Sequence, residues 1–497
     1  MKQYDIVIII TPFISLQLYV NVALLKPYIE KCGFSCKIID WNYKLYQTYD
    51  DLDFRQWLEI SLKYIDLVDS ITPYGIEKLN KVVPSFVDEI KQYNPKWIGL
   101  SMNSLRFSRC LDDYLIPPIK KEFPNTKIIA GGNAIALTLD KINYGKTLVD
   151  RELVDYVVTG EGEESIVQIL KDETWENFKP IKRIKNLDDF PDPDYSYFKS
   201  PIPAPNLQIP IITSRGCTKK CSFCVDPYHG VYKRNPKRIV DEIINLCNIY
   251  KGTSVIFNQP LVNADSIHLM NICDLIIENK NKLPDNFRWY AFMCCFQKRK
   301  NDELLYKKIK ESGGFYFMIG VESGSEKVRN SMNKKTSNED ILFMMSQFKI
   351  NKMIFVFQAL VGYYTEEEDD FQQTIDFIKE SHDILKEYLI VDIGFTFTIY
   401  DIKFWEKFGV KDDGKGSWYY KDNTFPVRVK RWIELYKFCK NNNIKTSSYF
   451  HLPTYIQIQK YKEYKDLEID LNILRKDCET ISYKTRKNFN PLKREGV

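Results

Sequence analysis

The sequence predicts an α/β chain with an N-terminal doubly wound parallel sheet, a partial barrel of six βα units, and a mostly helical C-terminal module. Short apolar runs alternate with segments of helical spacing, which is typical of parallel βα units. Prolines crowd between residues 191 and 205, and the alternation fades after about residue 400. The expected domains are residues 1–175, a proline-rich linker at 176–208, the partial barrel at 209–400, and a module at 401–497 that caps the barrel mouth.

The first half contains five apolar runs short enough to be strands. They lie at residues 5–10, 37–40, 97–101, 127–132 and 155–159. Segments of helical spacing, such as 16–32 and 84–93, separate them. Residues 43–83 fit this alternation poorly, and we interpret them as a helical insertion.

The second half repeats the pattern six times. Predicted strands lie at 209–213, 254–257, 289–293, 315–321, 353–360 and 390–397, with helical segments at 238–250, 267–278, 303–310 and 371–379. Six units are too few for a closed eight-stranded barrel. Catalytic groups of such barrels lie on loops at the carboxyl ends of the strands, so we expect the site there.

Composition excludes several classes of protein. The net charge of +5 comes from 71 basic and 66 acidic residues without a long basic stripe, and this balance alone argues neither for nor against nucleic acid. We expect a peptide or small-molecule substrate rather than a nucleic-acid partner. No apolar run approaches the roughly 18 residues that a membrane helix requires, and residues 1–10 lack the features of a signal peptide. Twelve cysteines without a regular framework favour a reducing cytoplasm over disulfides.

Three cysteines form the most informative motif. Cys217, Cys221 and Cys224 follow a predicted strand with C-x3-C-x2-C spacing. Iron–sulfur cubes are normally held by four thiolates, so three ligands leave one iron open, as catalytic metal sites require. A zinc site completed by His229 or Cys247 is the alternative, although zinc knuckles usually occupy small, turn-rich modules.

With Phe223 between its last two cysteines, the motif resembles the signature of radical S-adenosylmethionine (SAM) enzymes. The resemblance implies a TIM-type partial barrel and a [4Fe–4S] cluster whose open iron is chelated by SAM. It also implies an electron that splits the sulfonium to give a 5′-deoxyadenosyl radical. That electron would come from an external donor such as flavodoxin or ferredoxin.

Three strand-end segments are similar to SAM-binding positions of that family. Gly-Val-Glu-Ser-Gly at 320–324 resembles its G-x-E-S-G segment, which approaches the ribose and methionine portions of SAM. Residues 258 and 259 are amides where many members carry Gly-Gly-Glu or paired aspartates, and amide carbonyls can still accept from an ammonium. Residue 362 takes the glycine position near adenine, or simply precedes a helix with an acidic first turn. The implied SAM-binding set is Phe223, Asn258, Gln259, Glu322, Ser323 and Gly362.

The first half resembles the Rossmann-type cobalamin-binding domain that precedes the barrel in one branch of the superfamily. Matching segments are residues 99–103, 130–133 and 159–165, and the linker phrase at 187–195. The first 200 residues contain no histidine, so a cobalt-ligating imidazole is absent from this half. A degenerate scaffold domain is therefore the alternative. The implied cobalamin-binding set is Ser101, Asn103, Gly131, Gly132, Gly160, Glu161 and Gly162.

Cys294 and Cys295 end the third predicted barrel strand, either as hydrogen-atom donors to a substrate radical or as packed apolar residues. The family resemblance implies cobalamin-dependent methylation of an unactivated carbon in a peptide or natural product. One alternative is radical epimerisation, rearrangement or cyclisation without methyl transfer. Another is a non-catalytic metal-binding or redox-responsive protein.

Overall fold

The computed structural model describes residues 3–12, 18–48, 73–103, 105–136, 138–139, 142–171, 175–178, 184–198, 207–224, 230–299, 301–394, 406–413 and 417–447. The chain divides into two compact units, Met1–Ser200 with Tyr400–Ile402, and Pro201–Ile399 with Lys403–Val497. Much of the expected insertion at 43–83, and the chain after residue 447, lie outside the described residues.

The first unit contains a five-stranded parallel sheet, ordered β2-β1-β3-β4-β7. Its strands are β1 (Ile6–Ile10), β2 (Cys36–Asp40), β3 (Trp97–Ser101), β4 (Lys127–Gly131) and β7 (Tyr156–Val158), with a short hairpin of β5 (Thr138–Leu139) and β6 (Ile142–Asn143). The helices are α1 (Val20–Lys31), α2 (Trp41–Thr48), α3 (Pro73–Lys91), α4 (Leu105–Glu122), α5 (Asn133–Ala136), α6 (Tyr144–Asp150) and α7 (Glu163–Leu170).

Helices cover both faces of this sheet, as the interior strand β1 shows. Every residue of β1 is buried. Ile6, Ile8 and Ile10 enter one apolar cluster, and Val7 and Ile9 enter the other. Alternate residues of a strand point to opposite faces, so a continuous apolar run is what a doubly covered strand requires.

The second unit contains a seven-stranded parallel sheet, ordered β18-β15-β14-β13-β12-β11-β8. Its strands are β8 (Gln208–Ile211), β11 (Ser254–Phe257), β12 (Arg288–Met293), β13 (Gly314–Glu322), β14 (Ile354–Ala359), β15 (Leu389–Ile393) and β18 (Lys445–Ser447). The predicted fold class is confirmed, and all six predicted barrel strands are present. Strand β18 is a seventh, beyond the six units expected. It was missed because a three-residue polar edge strand has no apolar run.

The helices of this unit alternate with its strands. They are α8 (Pro236–Tyr250), α9 (Ser266–Glu278), α10 (Asp302–Glu311), α11 (Glu326–Ser331), α12 (Asn338–Ile350), α13 (Glu368–Leu385) and α14 (Phe425–Asn441). Two short antiparallel pairs accompany them, β9 (Ser214–Arg215) with β10 (Tyr232–Lys233), and β16 (Lys411–Asp412) with β17 (Trp418–Tyr419). In the part of the chain that the structure describes, no helix is long and apolar enough to span a membrane.

Candidate active site

The cysteine motif lies on a loop closed by the antiparallel pair β9 and β10. Glycines with positive φ mark both ends, Gly216 at +90° and Gly230 at +89°. The N–H of Gly230 donates to the carbonyl of Cys217 at 3.1 Å, which closes the loop. Residue 229, the histidine of the zinc alternative, lies outside the described residues.

This loop is fixed to a turn at residues 331–335. The N–H of Ser222 donates to the carbonyl of Met332 at 2.9 Å, and Asn333 Nδ2 donates to the carbonyl of Lys220 at 2.7 Å. Two residues of the turn, Asn333 and Lys335, have φ of 58° and 51°. Left-handed backbone at non-glycine residues is uncommon, so the turn is held in this shape by its surroundings.

The three thiols suit an iron–sulfur cluster better than a single ion. Cys217 and Cys221 are half-buried and Cys224 is exposed. The N–H of Lys219 donates to Cys217 Sγ at 3.3 Å, the kind of contact that tunes cluster thiolates. Among the described residues, no three His, Cys, Asp or Glu side chains form a group that could hold one metal ion, and Cys247 is buried in the core. In a four-iron cluster each thiolate binds a different iron, so the three thiols need not meet at a single metal ion.

Cys221 is a half-buried thiol whose electrostatic neighbours define the interior of the site. Burial raises its pKa to about 11, Lys334 opposes this shift, and Cys294 and Glu322 add to it. These groups are therefore electrostatic neighbours. A thiol in such a place becomes a thiolate when it binds a metal, because ligation releases the proton.

Glu322 ends β13 with φ +71°, where the register between β13 and β14 shifts. Its Oε1 lies 2.7 Å from Lys334 Nζ, and the two side chains are 13% and 7% exposed. A Cβ on Gly320 would lie 2.6 Å from Glu322 Oε1 and 2.9 Å from Lys334 Nζ. Gly320 therefore leaves the space that the ion pair occupies.

Lys334 is a site residue that sequence analysis missed. Burial lowers its pKa, but Glu322, Cys294 and Cys221 outweigh burial, so the pKa is raised and the ammonium stays charged. The ammonium lies 5.7 Å from the centre of the Phe223 ring. One lysine in a polar turn carries no sequence signal, because its burial arises from contact with β13 and the cysteine loop.

Ser323 and Gly324 face α13. The Ser323 side chain is fully buried, its Oγ lies 3.0 Å from Thr374 Oγ1, and it accepts the N–H of Ser325 at 3.1 Å. A Cβ on Gly324 would lie 2.5 Å from the carbonyl oxygen of Gln373. These residues anchor the strand-end turn, and the Ser323 hydroxyl is engaged there rather than at the open edge of the sheet.

Gln259 presents a buried acceptor at the end of β11, whereas Asn258 beside it is exposed. Gln259 Nε2 donates to Thr213 Oγ1 at 2.6 Å. Its Oε1 is buried with no hydrogen-bond partner, and the residue as a whole is only 5% exposed. A buried polar atom is normally satisfied, so this acceptor fits a donor such as the SAM ammonium.

Gly362 is packed against the C-terminal helix. It has φ +86°, and a Cβ would lie 2.5 Å from side-chain carbons of Arg428 in α14. Its N–H donates to Glu366 Oε2 at 2.8 Å, and Arg431 Nη1 lies 3.3 Å from the same oxygen. Burial raises the pKa of Glu366 to about 7, against the opposing effect of Arg431. Packing of Arg428 alone accounts for this glycine.

The two cysteines after β12 differ. Cys295 Sγ lies 3.2 Å from Met344 Sδ, and burial raises its pKa, so it packs as an apolar residue. Asn263 holds the backbone of Cys294 through hydrogen bonds of 2.8 and 3.1 Å. The Cys294 thiol is an electrostatic neighbour of Cys221 and Lys334, so it belongs to the site.

The carboxyl edge of the first unit's sheet is lined by four glycines with different constraints. Gly132 has φ +102°, and a Cβ would lie 2.5 Å from the carbonyl oxygen of Met102, while Gly160 has φ +97°. A Cβ on Gly131 or Gly162 would meet only ordinary contacts, at 3.7 Å or more. Neither protein packing nor backbone conformation requires glycine at these two positions, so the protein's own contacts do not explain them.

Polar groups border the same edge. Asn103 Oδ1 accepts from Asn21 Nδ2 at 3.2 Å, but Asn103 Nδ2 is buried without a hydrogen-bond partner. The carbonyl of Ser101 accepts from the Thr11 hydroxyl at 3.0 Å, and Glu161 accepts the N–H of Ile184 at 3.4 Å. An unsatisfied amide donor beside open glycines fits a ligand with acceptor groups, such as the amide side chains of a corrinoid.

Comparison with known proteins identifies part of the chain. Residues 211–378 match the model of the radical SAM superfamily, which confirms the predicted family resemblance and implies a [4Fe–4S] cluster and SAM. The chain is 26% identical over 198 residues to tRNA-2-methylthio-N(6)-dimethylallyladenosine synthase of Petrotoga mobilis, covering 38% of this chain and 44% of the relative. It is 26% identical over 234 residues to the ribosomal protein uS12 methylthiotransferase RimO of Clostridioides difficile, covering 46% and 51%. The chain thus matches about half the length of these curated relatives or less.

Solved structures extend the likeness to both units. The radical SAM methyltransferase TsrM from Kitasatospora setae, bound to tryptophan and a SAM analogue, matches with a TM-score of 0.56 and 14% identity. That match covers 79% of this chain and 73% of TsrM. The cobalamin-dependent SAM radical enzyme OxsB, with aqua-cobalamin and SAM bound, matches with a TM-score of 0.54 and 14% identity, covering 84% of this chain and 56% of OxsB. At this identity the likeness establishes the fold.

Proposed function

This chain is a member of the radical SAM superfamily through residues 211–378, and on that premise we propose that it performs cobalamin-dependent methylation of an unactivated carbon in a peptide or natural product. The observation that carries the proposal is that one chain contains two parallel sheets, each bordered at its carboxyl edge by candidate cofactor-binding residues. A cysteine loop borders the seven-stranded sheet, and open glycines border the five-stranded sheet. The cluster and SAM supply a 5′-deoxyadenosyl radical, and cobalamin supplies a transferable methyl group.

The residues of the second unit bind and orient. Cys217, Cys221 and Cys224 would hold the cluster on a loop that is hydrogen-bonded to the turn at residues 331–335. Glu322 accepts hydrogen bonds from the ribose or ammonium of SAM, and the unsatisfied Oε1 of Gln259 accepts from the ammonium. Phe223 provides an apolar wall beside them.

The residues of the first unit leave cobalamin without a protein imidazole. Gly131 and Gly162 would border the ring, and Asn103 Nδ2 would donate to a carbonyl of its peripheral amide side chains. The first 200 residues contain no histidine, so no histidine from this part of the chain can ligate cobalt. We expect the bound corrinoid to be base-off.

The test is anaerobic reconstitution with iron, sulfide and hydroxocobalamin, followed by incubation with SAM and a reductant. Expected results are about four irons per chain, formation of 5′-deoxyadenosine, and a base-off cobalt(II) resonance without nitrogen superhyperfine splitting. A candidate substrate should gain one CH2, whereas methylthiolation would add CH2S. Stoichiometric zinc without iron, or no cobalamin uptake, would contradict the respective part of the proposal.

Radical chemistry without methylation is the second candidate, favoured by the position of Cys294. A thiol beside the cluster loop can return a hydrogen atom to a substrate radical. In that case Cys294→Ser would abolish product while 5′-deoxyadenosine formation persists, and solvent deuterium would enter the parent enzyme's product. Methyl transfer that survives this substitution would exclude a required donor role for Cys294.

A further inference from the structure

A buried arginine joins the two segments that carry the Glu322–Lys334 ion pair. Arg329 lies in α11, between these segments in the chain, and it is fully buried. The proposed chemistry gives it no role. We propose that Arg329 is the positioning residue for Glu322, because it fixes the strand-end turn against the turn at residues 331–335 and so sets where the carboxylate meets SAM. The inference deepens the proposed function and rests on it.

The guanidinium of Arg329 donates to three separate segments. Its Nη1 donates to the carbonyl of Ser323, just after β13, at 2.6 Å. Its Nε donates to the carbonyl of Thr336 at 3.0 Å, and its Nη2 donates to Asn338 Oδ1 at the start of α12. Because the donors of a guanidinium lie in one rigid plane, a single side chain fixes the spacing of all three segments.

The backbone of Arg329 completes the link to the ion pair. Its carbonyl accepts the N–H of Lys334 at 3.0 Å. Arg329 thus contacts the residue after Glu322 with its side chain and Lys334 with its backbone. The 2.7 Å between Glu322 Oε1 and Lys334 Nζ depends on both contacts, since each one fixes one end of the pair.

The backbone conformation of Glu322 requires support from its surroundings. Its φ of +71° lies in the left-handed region, at the point where the register between β13 and β14 shifts. Such a conformation persists in a non-glycine residue only when neighbouring contacts hold it. The bond from Arg329 to the Ser323 carbonyl holds the chain one residue after this point, so it is placed to keep the Glu322 side chain in its present direction.

Packing alone does not explain an arginine at this position. The nearby Val328 and Met332 are fully buried, so an apolar side chain would suit the same environment. Burial lowers the pKa of Arg329, and Glu326 opposes that shift from 3.6 Å away, although Glu326 is 49% exposed. A buried charge is costly unless its hydrogen bonds are satisfied. The three acceptors therefore account for the guanidinium, and they belong to the segments that carry the ion pair.

The first test measures the Glu322–Lys334 interaction in the cluster-free protein, without SAM. Lys334→Met should lower the urea midpoint, and adding Glu322→Gln should restore most of the loss. The same two steps are repeated with Arg329→Leu, which removes the donors, and with Arg329→Lys. We expect the restoration to fall to less than half in both backgrounds, because the carboxylate is no longer held in an enclosed place. Restoration of undiminished size would overturn the proposal.

The second test measures SAM affinity in a variant that retains the charge. Arg329→Lys keeps a cation, but one ammonium cannot reproduce the fork of three donors, and this change is milder than Arg329→Leu if the latter does not fold. The cluster is kept oxidised so that SAM binds without cleavage, and equilibrium dialysis gives the affinity. We expect the iron content of the parent and about tenfold weaker SAM binding, the loss of one well-placed charge-assisted hydrogen bond. Unchanged affinity would contradict the positioning role.

Ile276→Ala is the matched control for lost stability. Ile276 is 1% exposed in the last turn of α9, at the opposite edge of the sheet from the ion pair. Its truncation leaves a cavity and lowers stability, yet SAM affinity should match that of the parent. Equal weakening of SAM binding in this control would show that stability, not position, is the cause, and would overturn the assignment. If the parent binds no SAM, the proposed function fails, while the urea measurements still decide the role of Arg329.

Discussion

Removal of the Lys334 ammonium should expose the cost of a buried, unpaired carboxylate. Lys334 Nζ lies 2.7 Å from Glu322 Oε1, and both side chains are almost entirely enclosed. Breaking such a pair by removing one partner costs about 3–5 kcal/mol. Glu322 keeps some contact with solvent and can take up a proton, so we expect Lys334→Met to lower the free energy of unfolding by about 3 kcal/mol.

A second substitution separates charge from packing. With Glu322→Gln added to Lys334→Met, the buried charge is gone, and the remaining loss should be about 1 kcal/mol, typical of one hydrogen bond. The double variant should therefore be about 2 kcal/mol more stable than Lys334→Met alone, a non-additive effect as expected for residues in direct contact.

The assay is urea denaturation of the cluster-free protein under reducing, anaerobic conditions, followed by tryptophan fluorescence. Lys349→Met is the matched control, because Lys349 pairs with Glu387 at 3.5 Å on the surface. That change should cost less than about 1 kcal/mol. The reasoning is refuted if Lys334→Met behaves like this control, or if the double variant is as unstable as the single one.

Three further predictions concern the surrounding elements. The pKa of Glu366 is raised from its ordinary 4.5 to about 7, so its protonated form stabilises the fold, a contribution present below pH 4.5 and lost as pH rises through 7. Glu366→Gln should flatten that decline of up to about 3 kcal/mol in urea titrations across this range. Gly324→Ala should destabilise by about 1–3 kcal/mol because the Cβ meets backbone of α13, whereas Gly131→Ala should be nearly neutral by thermal melting. Replacing all three motif cysteines with alanine should abolish iron uptake, measured by metal analysis, while circular dichroism stays unchanged.

Sequence patterns were sufficient for the apolar strands of both sheets, though not for the polar edge strand β18, and for the cluster loop. Apolar runs over 97–101 and 254–257 coincide with β3 and β11, because strands covered on both faces are apolar throughout. The C-x3-C-x2-C spacing is a local pattern, so it can be recognised in the sequence without knowledge of the fold.

The contacts that complete the site were beyond sequence reasoning. Lys334 and Gly320 lie on separate segments that come into contact in the fold. Position 320 is a glycine because the Lys334 side chain occupies the space that a Cβ would need. Gly362 was predicted to lie near adenine or simply to precede a helix, and the structure adds a steric reason for glycine in Arg428, 66 positions later in the chain. These constraints on residue type come from tertiary contacts, and they leave no periodic pattern in the sequence.

The contact between Gly362 and Arg428 has a consequence during protein synthesis. The strand-end loop that carries Gly362 is completed by α14, and the sheet edge by β18, both close to the end of the described chain. A ribosome must therefore translate some 65 further codons after this loop emerges before the loop acquires its packing partner. At about 5–20 residues per second, the loop waits for seconds in an unfinished state beside cysteines that have already been made. The loop beside the cysteines therefore acquires its packing partner only after α14 has been made.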